Sequence, residues 1–244
     1  MQHHLTTKLK SLNLGGLLET LELRTGQATD GNLGYLEYLE MLVSDEIERR
    51  QARKLQRRLA KADFEEEKTL EGFDFGFNPN VPVRKLKDLA ACHWLDKREN
   101  VIICGLAGVG KTHLAQALGH HACRLGRTVL FSKANQLFRQ LEAARADASW
   151  EDRIREYTKV DVLIIDDFGL KTLTAHQADD LAEIIGERAL KGGMIFTSNR
   201  RVEEWLGLFP DPVFANAVLD RVAHNAHQIV IEGESYRKNR RPEP

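Results

Sequence analysis

The chain lacks long apolar runs and contains few cysteines. No apolar stretch approaches the 18 residues typical of a membrane-spanning helix, and the N-terminal residues show no apolar signal-peptide region. The three cysteines, Cys92, Cys104 and Cys123, are odd in number and have no C-x-x-C spacing, which predicts reduced thiols in a cytosolic protein. No repeat of fixed period is present. We therefore expect a cytoplasmic protein without a membrane partner.

The net charge is also small, with a formal value of -1. That balance hides a local excess, since residues 49–61 hold seven basic residues and no acidic one. A hydrophobic content of 42% with 29% charged residues is typical of a folded globular chain and excludes a disordered one. The length of 244 residues allows one large domain, or one domain with an accessory piece.

The strongest motif is Gly105–Thr112, GLAGVGKT, which follows the apolar run Val101–Cys104. Its glycines let the backbone curl so that successive N–H groups face phosphate oxygens. Lys111 can reach the β- and γ-phosphates, and the Thr112 hydroxyl can bind Mg²⁺. A glycine-rich structural turn is the alternative, but a strand-like run before the motif and a helix-like stretch after it favour a phosphate-binding loop.

Two adjacent carboxylates, Asp166 and Asp167, end the apolar run Val162–Ile165. A buried strand rarely ends this way, because burying unpaired charge is costly. Beside a phosphate site, Asp166 can hold Mg²⁺ and Asp167 can orient the attacking water. The alternative is a carboxylate pair that begins a turn before Phe168. Together with the phosphate loop, the pair predicts Mg²⁺-dependent hydrolysis of a nucleoside triphosphate.

Two further polar residues are weaker candidates. Asn199 follows the apolar run Met194–Phe196, where it can contact the γ-phosphate or the water, although Ser-Asn is also ordinary turn chemistry. Arg221 lies near the end of a helical stretch, where it could reach the γ-phosphate of a neighbouring subunit. A surface salt bridge with Asp220 fits Arg221 equally well, so the residues alone leave both interpretations open.

The order of elements predicts three regions: a helical region at 1–70, a linker at 71–82 and an alternating helix–strand region at 83–244. Within the first, we expect a break at Gly15-Gly16 and a loop at 25–32. The linker phenylalanines could pack on the third region or flank a nucleotide base, and packing is the commoner role. Short apolar strands separated by helices predict a parallel sheet covered on both faces.

A long helix is predicted from about residue 35 to 61. Its first half carries four apolar residues on one face: Leu36, Leu39, Val43 and Ile47. Its second half carries six cations on one stripe, which we call the basic stripe: Arg50, Arg53, Lys54, Arg57, Arg58 and Lys61. A solvated face is one interpretation. A nucleic acid is favoured, because a polyanion would neutralise the repulsion among these like charges.

With these residues placed, the chain resembles the AAA+ ATPases, and within them the IstB family of transposition helper proteins, relatives of the DnaC helicase loader. The similarity extends over nearly the full length. It rests on the small helical N-terminal region and on four segments: 105–119, 162–169, 194–200 and 219–238. The resemblance implies an α/β domain with a five-stranded parallel sheet of order 5-1-4-3-2 between helices, preceded by a small all-helical domain.

The same resemblance implies roles for particular residues. Asp166 and Asp167 match Walker B, Asn199 matches sensor 1, and Arg221 matches the arginine-finger position. Thr112 and Asp166 would hold Mg²⁺, and Lys111 would act with these groups in catalysis. The residues implied to bind ATP are Gly105, Leu106, Ala107, Gly108, Val109, Gly110, Lys111, Thr112 and His113.

Two features depart from the family pattern of AAA+ proteins. Walker B ends in Asp-Asp where Asp-Glu is usual, so the shorter Asp167 reaches less far toward a water. The chain continues for 13 residues beyond Ile231, to Pro244, which is too few for a helical lid domain with a sensor-2 arginine. Arg237 is a candidate substitute for that arginine.

The resemblance implies a DNA-stimulated ATPase that forms homo-oligomers on duplex DNA, with little sequence preference and with ATP sites at subunit interfaces. Such a protein assists its cognate transposase in choosing a target for an insertion sequence. Besides the basic stripe, Lys133 is expected to face the DNA. A helicase loader that binds a replicative helicase is the main alternative. A small-molecule P-loop kinase is a third, although no Arg-rich lid segment is evident between the third and fourth strands.

Overall fold

A computed structural model describes residues 2–236, and the chain forms two compact units, 1–57 and 58–244. This division lies earlier than the boundary expected near residue 70. The residues after 61 belong to the second unit: Ala62 is fully buried, and its carbonyl accepts a hydrogen bond of 2.8 Å from the Phe131 N–H. Among the helices of residues 2–236, none is both long and apolar enough to cross a bilayer.

The first unit is helical. Helix α1 spans Gln2–Ser11 and α2 spans Gly15–Asp30, and both pack beside the first part of α3, Tyr35–Lys61. The expected break between two helices lies just before the glycine pair, which begins α2. The Gly16 N–H donates a hydrogen bond to the Glu46 carboxylate at 2.5 Å. A side chain at Gly16 would collide with the α3 backbone.

The expected loop at 25–32 is wrong for most of its length, since α2 continues to Asp30. Local hydrogen bonds explain the difference. The hydroxyls of Thr25 and Thr29 donate back to carbonyls four residues earlier, so these residues bond within the helix instead of ending it.

Helix α3 buries a different face from the one that its apolar spacing suggests. Leu42 packs with Leu9 and Leu17 in a small core, and Asp45 is paired with Arg24 through two hydrogen bonds of 2.7 and 2.8 Å. That pairing with Arg24 lowers the pKa of Asp45 to about 2. The predicted apolar residues are all exposed: Leu36 by 81%, Leu39 by 51%, Val43 by 44% and Ile47 by 50%.

The second unit contains a five-stranded sheet in which every pairing is parallel. The strands are β1 Asn100–Gly105, β2 Val129–Lys133, β3 Val162–Phe168, β4 Gly193–Ser198 and β5 Ala226–Ile231. Their order is β2-β3-β4-β1-β5, which is the expected 5-1-4-3-2 seen from the other edge. The central strands are almost wholly buried, so the α/β architecture and the parallel sheet are confirmed.

Helices connect the strands and cover both faces of the sheet. They are α4 Val83–Ala90, α5 His93–Asp96, α6 Lys111–Arg124, α7 Ala134–Ala146, α8 Trp150–Thr158, α9 Ala175–Arg188, a 3-10 helix at Val202–Leu208, and α10 Pro212–Ala223. Helices α4 and α5 are separate, because Cys92 adopts a left-handed conformation with φ of 60° between them.

A buried arginine anchors the amino-terminal edge of the sheet. Arg188 is fully buried, and its guanidinium donates to the carbonyls of Tyr157, Val160, Asp161 and Gly193 at 2.6 to 3.1 Å. Burial lowers the pKa of Arg188 to about 10. Because these carbonyls lie at or before the starts of β3 and β4, Arg188 fixes the two strands side by side, and their far ends then meet at the site described next.

Candidate nucleotide site

The phosphate loop lies between β1, which ends at Gly105, and α6, which begins at Lys111. Gly110 has a φ of 100°, in the left-handed region that favours glycine. A Cβ added there would lie 2.7 Å from the ring of Phe73. The loop therefore requires glycine at this position both for its conformation and for the close approach of an aromatic ring.

Lys111 bridges two strands at the carboxyl-terminal edge of the sheet. Its side chain is buried, and its ammonium donates to the Leu106 carbonyl at 2.9 Å and to the Asn199 side-chain oxygen at 2.6 Å. Asn199 directly follows β4, so the structure brings together two residues that are 88 positions apart in the sequence.

Asp166 joins the loop to the two central strands. Its carboxylate accepts a hydrogen bond from the Thr112 hydroxyl at 3.1 Å and one from the Thr197 hydroxyl at 2.5 Å. Asp166 is fully buried, and this burial raises the pKa of its carboxyl group, although the Thr197 hydrogen bond opposes the rise. Thr197 is a site residue that the sequence analysis missed, and its place at the end of β4 was the available signal.

A β-bulge in β3 sets the backbone conformation of Asp167, the second carboxylate. Ile165 pairs with Phe196 but Phe168 pairs with Ser198, so β3 contains one extra residue there. Asp167 lies within this bulge, with a φ of 56° and its N–H bonded to the Thr197 hydroxyl at 2.9 Å. Because of this irregularity, Asp166 and Asp167 do not follow the regular alternation of faces that a strand without a bulge would give.

The oxygen atoms around Asp166 fit a magnesium ion. Thr112 and Asp166 offer a hydroxyl and a carboxylate, which are hard donors of the kind Mg²⁺ selects. Within residues 2–236, no group of three or more His, Cys, Asp or Glu side chains could hold a metal ion. A magnesium ion bound here would therefore take its other ligands from nucleotide phosphates and water.

Aromatic residues of the linker and of the last described residues pack on the phosphate loop. Phe73 lies edge-on to His113, with 5.1 Å between ring centroids, and Phe77 is edge-on to Tyr236 at 4.8 Å. The Tyr236 N–H donates to the Gly108 carbonyl at 3.0 Å. The linker thus packs on the loop as a staple, and Phe73 also lies at the edge of the phosphate site.

Arg221 lies away from the phosphate loop of its own chain. The carbonyl of its neighbour, Val222, accepts a hydrogen bond of 3.1 Å from Asn100, which begins β1. The phosphate loop follows the other end of this six-residue strand, about 17 Å farther along. Arg221 is exposed, and within residues 2–236 it forms no ion pair with Asp220 or any other acid. Arg237, the candidate substitute for sensor 2, lies outside the described residues.

The basic stripe is largely exposed. Arg50 is paired with Glu46 at 2.6 Å, and Arg58 is half-buried close to Gly126. The other four cations, Arg53, Lys54, Arg57 and Lys61, are exposed. Over the part of the chain that the structure describes, Arg50 is the one stripe cation with a salt bridge.

Lys133 lies beside the nucleotide site. It ends β2 in register with Asp166 of β3, and its ammonium pairs with the Glu65 carboxylate at 2.6 Å. The pKa of Lys133 is raised, mainly by its hydrogen bond with Glu65 and to a lesser degree by the charges of Glu65, Asp166 and Asp167.

A parallel sheet of this strand order defines an AAA+ P-loop ATPase, since the phosphate loop follows β1, acidic residues end β3 and a polar residue follows β4. The profile of the IstB-like ATP-binding protein family matches residues 7–243. The chain therefore belongs to this family.

Curated relatives are similar over almost their whole length. An insertion-sequence ATP-binding protein of Mycobacterium tuberculosis is 50% identical over 239 residues, which are 98% of this chain and 95% of that protein. The ATP-binding protein of insertion sequence IS21 from Pseudomonas aeruginosa is 35% identical over 235 residues, or 96% and 89% of the two chains.

Among solved structures, AMPPCP-bound DnaA from Aquifex aeolicus is similar with a TM-score of 0.60 and 22% identity. The match covers 72% of this chain and 53% of the DnaA chain, so this chain spans about half the length of that protein. At this identity the likeness shows the fold alone, and it confirms the AAA+ architecture.

Proposed function

We propose that this protein is an ATP-switched, DNA-binding helper of a transposase, and that it hydrolyses Mg-ATP while assembled on duplex DNA. The observation that carries the proposal is the network at the carboxyl-terminal edge of the sheet. There Lys111 is bonded to Asn199, and Thr112 is bonded to Asp166, across three separate strand ends. The exposed basic stripe on α3 supports the DNA-binding part of the proposal.

In this proposal each residue of the site has one task. Lys111 exchanges its bonds to Leu106 and Asn199 for the β- and γ-phosphates of ATP, which are stronger, charged acceptors. Asn199 then remains beside the γ-phosphate. Thr112 and Asp166 hold Mg²⁺, which supplies charge neutralisation on the phosphates when bound. Asp167 orients the attacking water from the bulge in β3.

The position of Arg221 supports an ATP site shared between two subunits. It lies near the amino-terminal edge of the sheet, so it cannot serve the phosphate loop at the opposite edge of its own chain. In a head-to-tail assembly, that edge of one subunit can approach the phosphate loop of the next. Arg221 would then stabilise the charge on the γ-phosphate in trans.

The DNA partner is proposed from charge and exposure. Arg53, Lys54, Arg57 and Lys61 are exposed cations on one face of α3. Such a stripe contacts backbone phosphates without reading bases, so little sequence preference is expected. Lys133, which we also expected at the DNA, is engaged with Glu65, so any contact with DNA would require that pair to open.

The transposase partner is proposed from the relatives, whose names place them in insertion sequences. The helicase-loader alternative differs in the protein that is bound. Pull-down experiments with the transposase and with a replicative helicase, in the presence of ATP, separate the two. Retention of the transposase alone supports the proposal, and retention of the helicase alone overturns it.

Assembly is tested by negative-stain imaging with ATP or ADP, with and without duplex DNA. We expect ordered oligomers on DNA with ATP and none with ADP. Identical particles under all four conditions would contradict the proposal.

The shared site has its own test, in which Arg221→Ala protein is mixed with Lys111→Ala protein. We expect neither variant to hydrolyse ATP alone, whereas a mixed assembly contains interfaces with an intact loop facing an intact arginine. Recovery of ATPase activity supports the shared site. No recovery, with both proteins shown to co-assemble, argues against it.

A further inference from the structure

Residues 232–236 follow β5 and lie on the phosphate loop, and we call this segment the clasp. The Tyr236 N–H donates to the Gly108 carbonyl at 3.0 Å, although these two residues are far apart in the sequence. Ser235 also contacts the loop, because a Cβ added at Gly108 would collide with the Ser235 hydroxyl. The clasp therefore meets the loop at one residue, Gly108, through both backbone and side chain.

Contacts with the linker and with the residues after β4 fix the clasp. The side-chain amide of Asn78, a buried residue, donates to the Glu232 carbonyl at 3.0 Å. The Phe77 ring lies edge-on to the Tyr236 ring, with 4.8 Å between centroids. Arg201 pairs with the Glu232 carboxylate at 3.3 Å. Because both ends of the clasp are held from outside the loop, the clasp can impose a conformation on the loop.

The backbone of the loop at this point has the alternation of an anion-binding nest. Gly108 and Gly110 have φ of 85° and 100°, whereas Val109 between them is not in the left-handed region. Such alternation turns successive N–H groups toward one point, where an anion can bind. The Val109 N–H lies in the middle of this run, so its direction matters for the phosphates.

One peptide plane connects the clasp with this nest. In a trans peptide, the C=O of one residue and the N–H of the next point in opposite directions. The Gly108 carbonyl faces the Tyr236 N–H, so the Val109 N–H points away from the clasp. A flip of this peptide, which the permissive backbone of glycine allows, would turn an oxygen toward the phosphates in place of a donor.

We propose that the clasp preorganises the phosphate loop by holding the Gly108–Val109 peptide with its N–H turned toward the nucleotide phosphates. Tyr236 is then a positioning residue for ATP binding, and it acts through its backbone N–H. The clasp affects binding and not the chemical step, because Asp167 and Asn199 lie at the ends of β3 and β4. This inference rests on the phosphate loop as the ATP site of the proposed function.

The test compares Tyr236→Pro with Tyr236→Ala. Both changes remove the ring that contacts Phe77, but only proline also removes the N–H that holds Gly108. Titration with a fluorescent ATP analogue should show about 10-fold weaker binding for the proline variant than for the alanine variant, because one hydrogen bond and the loop conformation are lost. In ATPase assays the loss should appear in KM, with kcat of the two variants within about threefold of each other.

Inorganic tripolyphosphate separates a phosphate role from a base role. In competition with the fluorescent nucleotide, it should lose the same factor of about 10 between the alanine and proline variants, because it needs only the nest. A loss seen with ATP and absent with tripolyphosphate would mean that the clasp contacts the base, and would overturn the inference.

A second pair of variants tests the clasp without a new proline. The amides of Asn78 and Asn80 both face the Glu232 carbonyl, at 3.0 and 3.5 Å, and only Asn78 is buried. We expect Asn78→Ala to weaken ATP binding by about threefold and Asn80→Ala to leave it nearly unchanged, because a contact of 3.5 Å holds the clasp less firmly. Thermal melting without nucleotide identifies any variant that does not fold. If Tyr236→Pro does not fold, equal affinities in this second pair overturn the inference.

The remaining outcomes separate this inference from the proposed function. Equal affinities of Tyr236→Pro and Tyr236→Ala, or a loss confined to kcat, would overturn the role of the clasp. Lys111→Ala is measured in parallel. If Lys111→Ala binds ATP like wild type, the proposed function fails at its phosphate loop. If Lys111→Ala loses affinity while Tyr236→Pro matches Tyr236→Ala, only the role of the clasp fails.

Discussion

The nucleotide site and the basic stripe differ in where their partners lie. In the nucleotide site, Lys111, Asp166 and Asn199 come from distant segments, and each is hydrogen-bonded to another residue of the site. In the basic stripe, five cations are exposed, and Arg50 alone has a salt bridge within residues 2–236. The first set is supported by contacts within the chain, whereas the second can be neutralised fully only by another molecule.

The comparison shows why the two hypotheses have different support. The residues of the predicted nucleotide site satisfy one geometric condition of that hypothesis, because unrelated positions rarely meet by chance at one strand edge. A charged helical face offers no such geometric condition, because a face that binds DNA and a face that only contacts solvent have the same structure.

The largest effect is expected from Lys111→Ala. This change removes the ammonium that faces the phosphates, and a charge-assisted contact to two phosphates is not replaced by water in a closed loop. We expect ATP affinity to fall by about 100-fold or more. Titration with a fluorescent nucleotide measures it, and Lys191→Ala serves as the control, because Lys191 pairs with Glu187 on α9. Equal affinity in both variants would contradict the assignment of the phosphate loop.

Asp167→Asn should separate binding from chemistry. The amide keeps the size of the side chain but loses the charge that orients the water, so kcat is expected to fall by about 100-fold or more. Nucleotide affinity should stay close to that of wild type, because Asp167 does not contact the phosphate loop through any hydrogen bond among residues 2–236. A parallel loss of affinity and kcat would instead indicate that the bulge in β3 had collapsed.

The convergence of the candidate nucleotide-site residues could be predicted from the sequence, because its signals are local and its geometry is general. A glycine-rich phosphate-binding loop after a buried strand adopts one characteristic conformation. The carboxyl ends of parallel strands meet at one edge of the sheet. The bulge at Asp167 and the second bond made by Thr197 could not be predicted, since both depend on the register between β3 and β4.

Helix α3 lies where it was predicted, at Tyr35–Lys61, but its buried face was harder to predict. Apolar spacing identified a face with Leu36 and Ile47, yet the unit buries Leu42 with the charged residues Asp45 and Glu46 instead. The reason is specific pairing: Arg24 neutralises Asp45, and Gly16 allows the backbone of α2 to approach Glu46. Periodicity measures the apolar character of a face, but it does not detect a polar face satisfied by a neighbouring helix.

For the basic stripe, we predict that replacing Arg53, Lys54 and Arg57 together by Gln weakens binding to duplex DNA. Three lost phosphate contacts should reduce the slope of log K against log salt by about 2.7, because each contact contributes about 0.9. Fluorescence anisotropy at several salt concentrations gives both affinity and slope. The matched control replaces Arg124, Arg127 and Lys191, three cations that are each paired with a carboxylate. An unchanged slope in the stripe variant would show that the stripe contacts solvent and does not bind DNA.

The smallest effect, and the sharpest test of the comparison, concerns Arg50 within the stripe. Its guanidinium is bonded to Glu46 at 2.6 Å, so binding a phosphate would require it to leave a buried carboxylate. We therefore expect Arg50→Gln to change the salt slope by less than half of the change caused by Arg57→Gln, which removes an exposed cation. Paired titrations of the two single variants decide it. Equal slopes would mean that the Arg50–Glu46 pair opens on DNA, and that pairing within the chain does not protect a stripe cation from the polyanion.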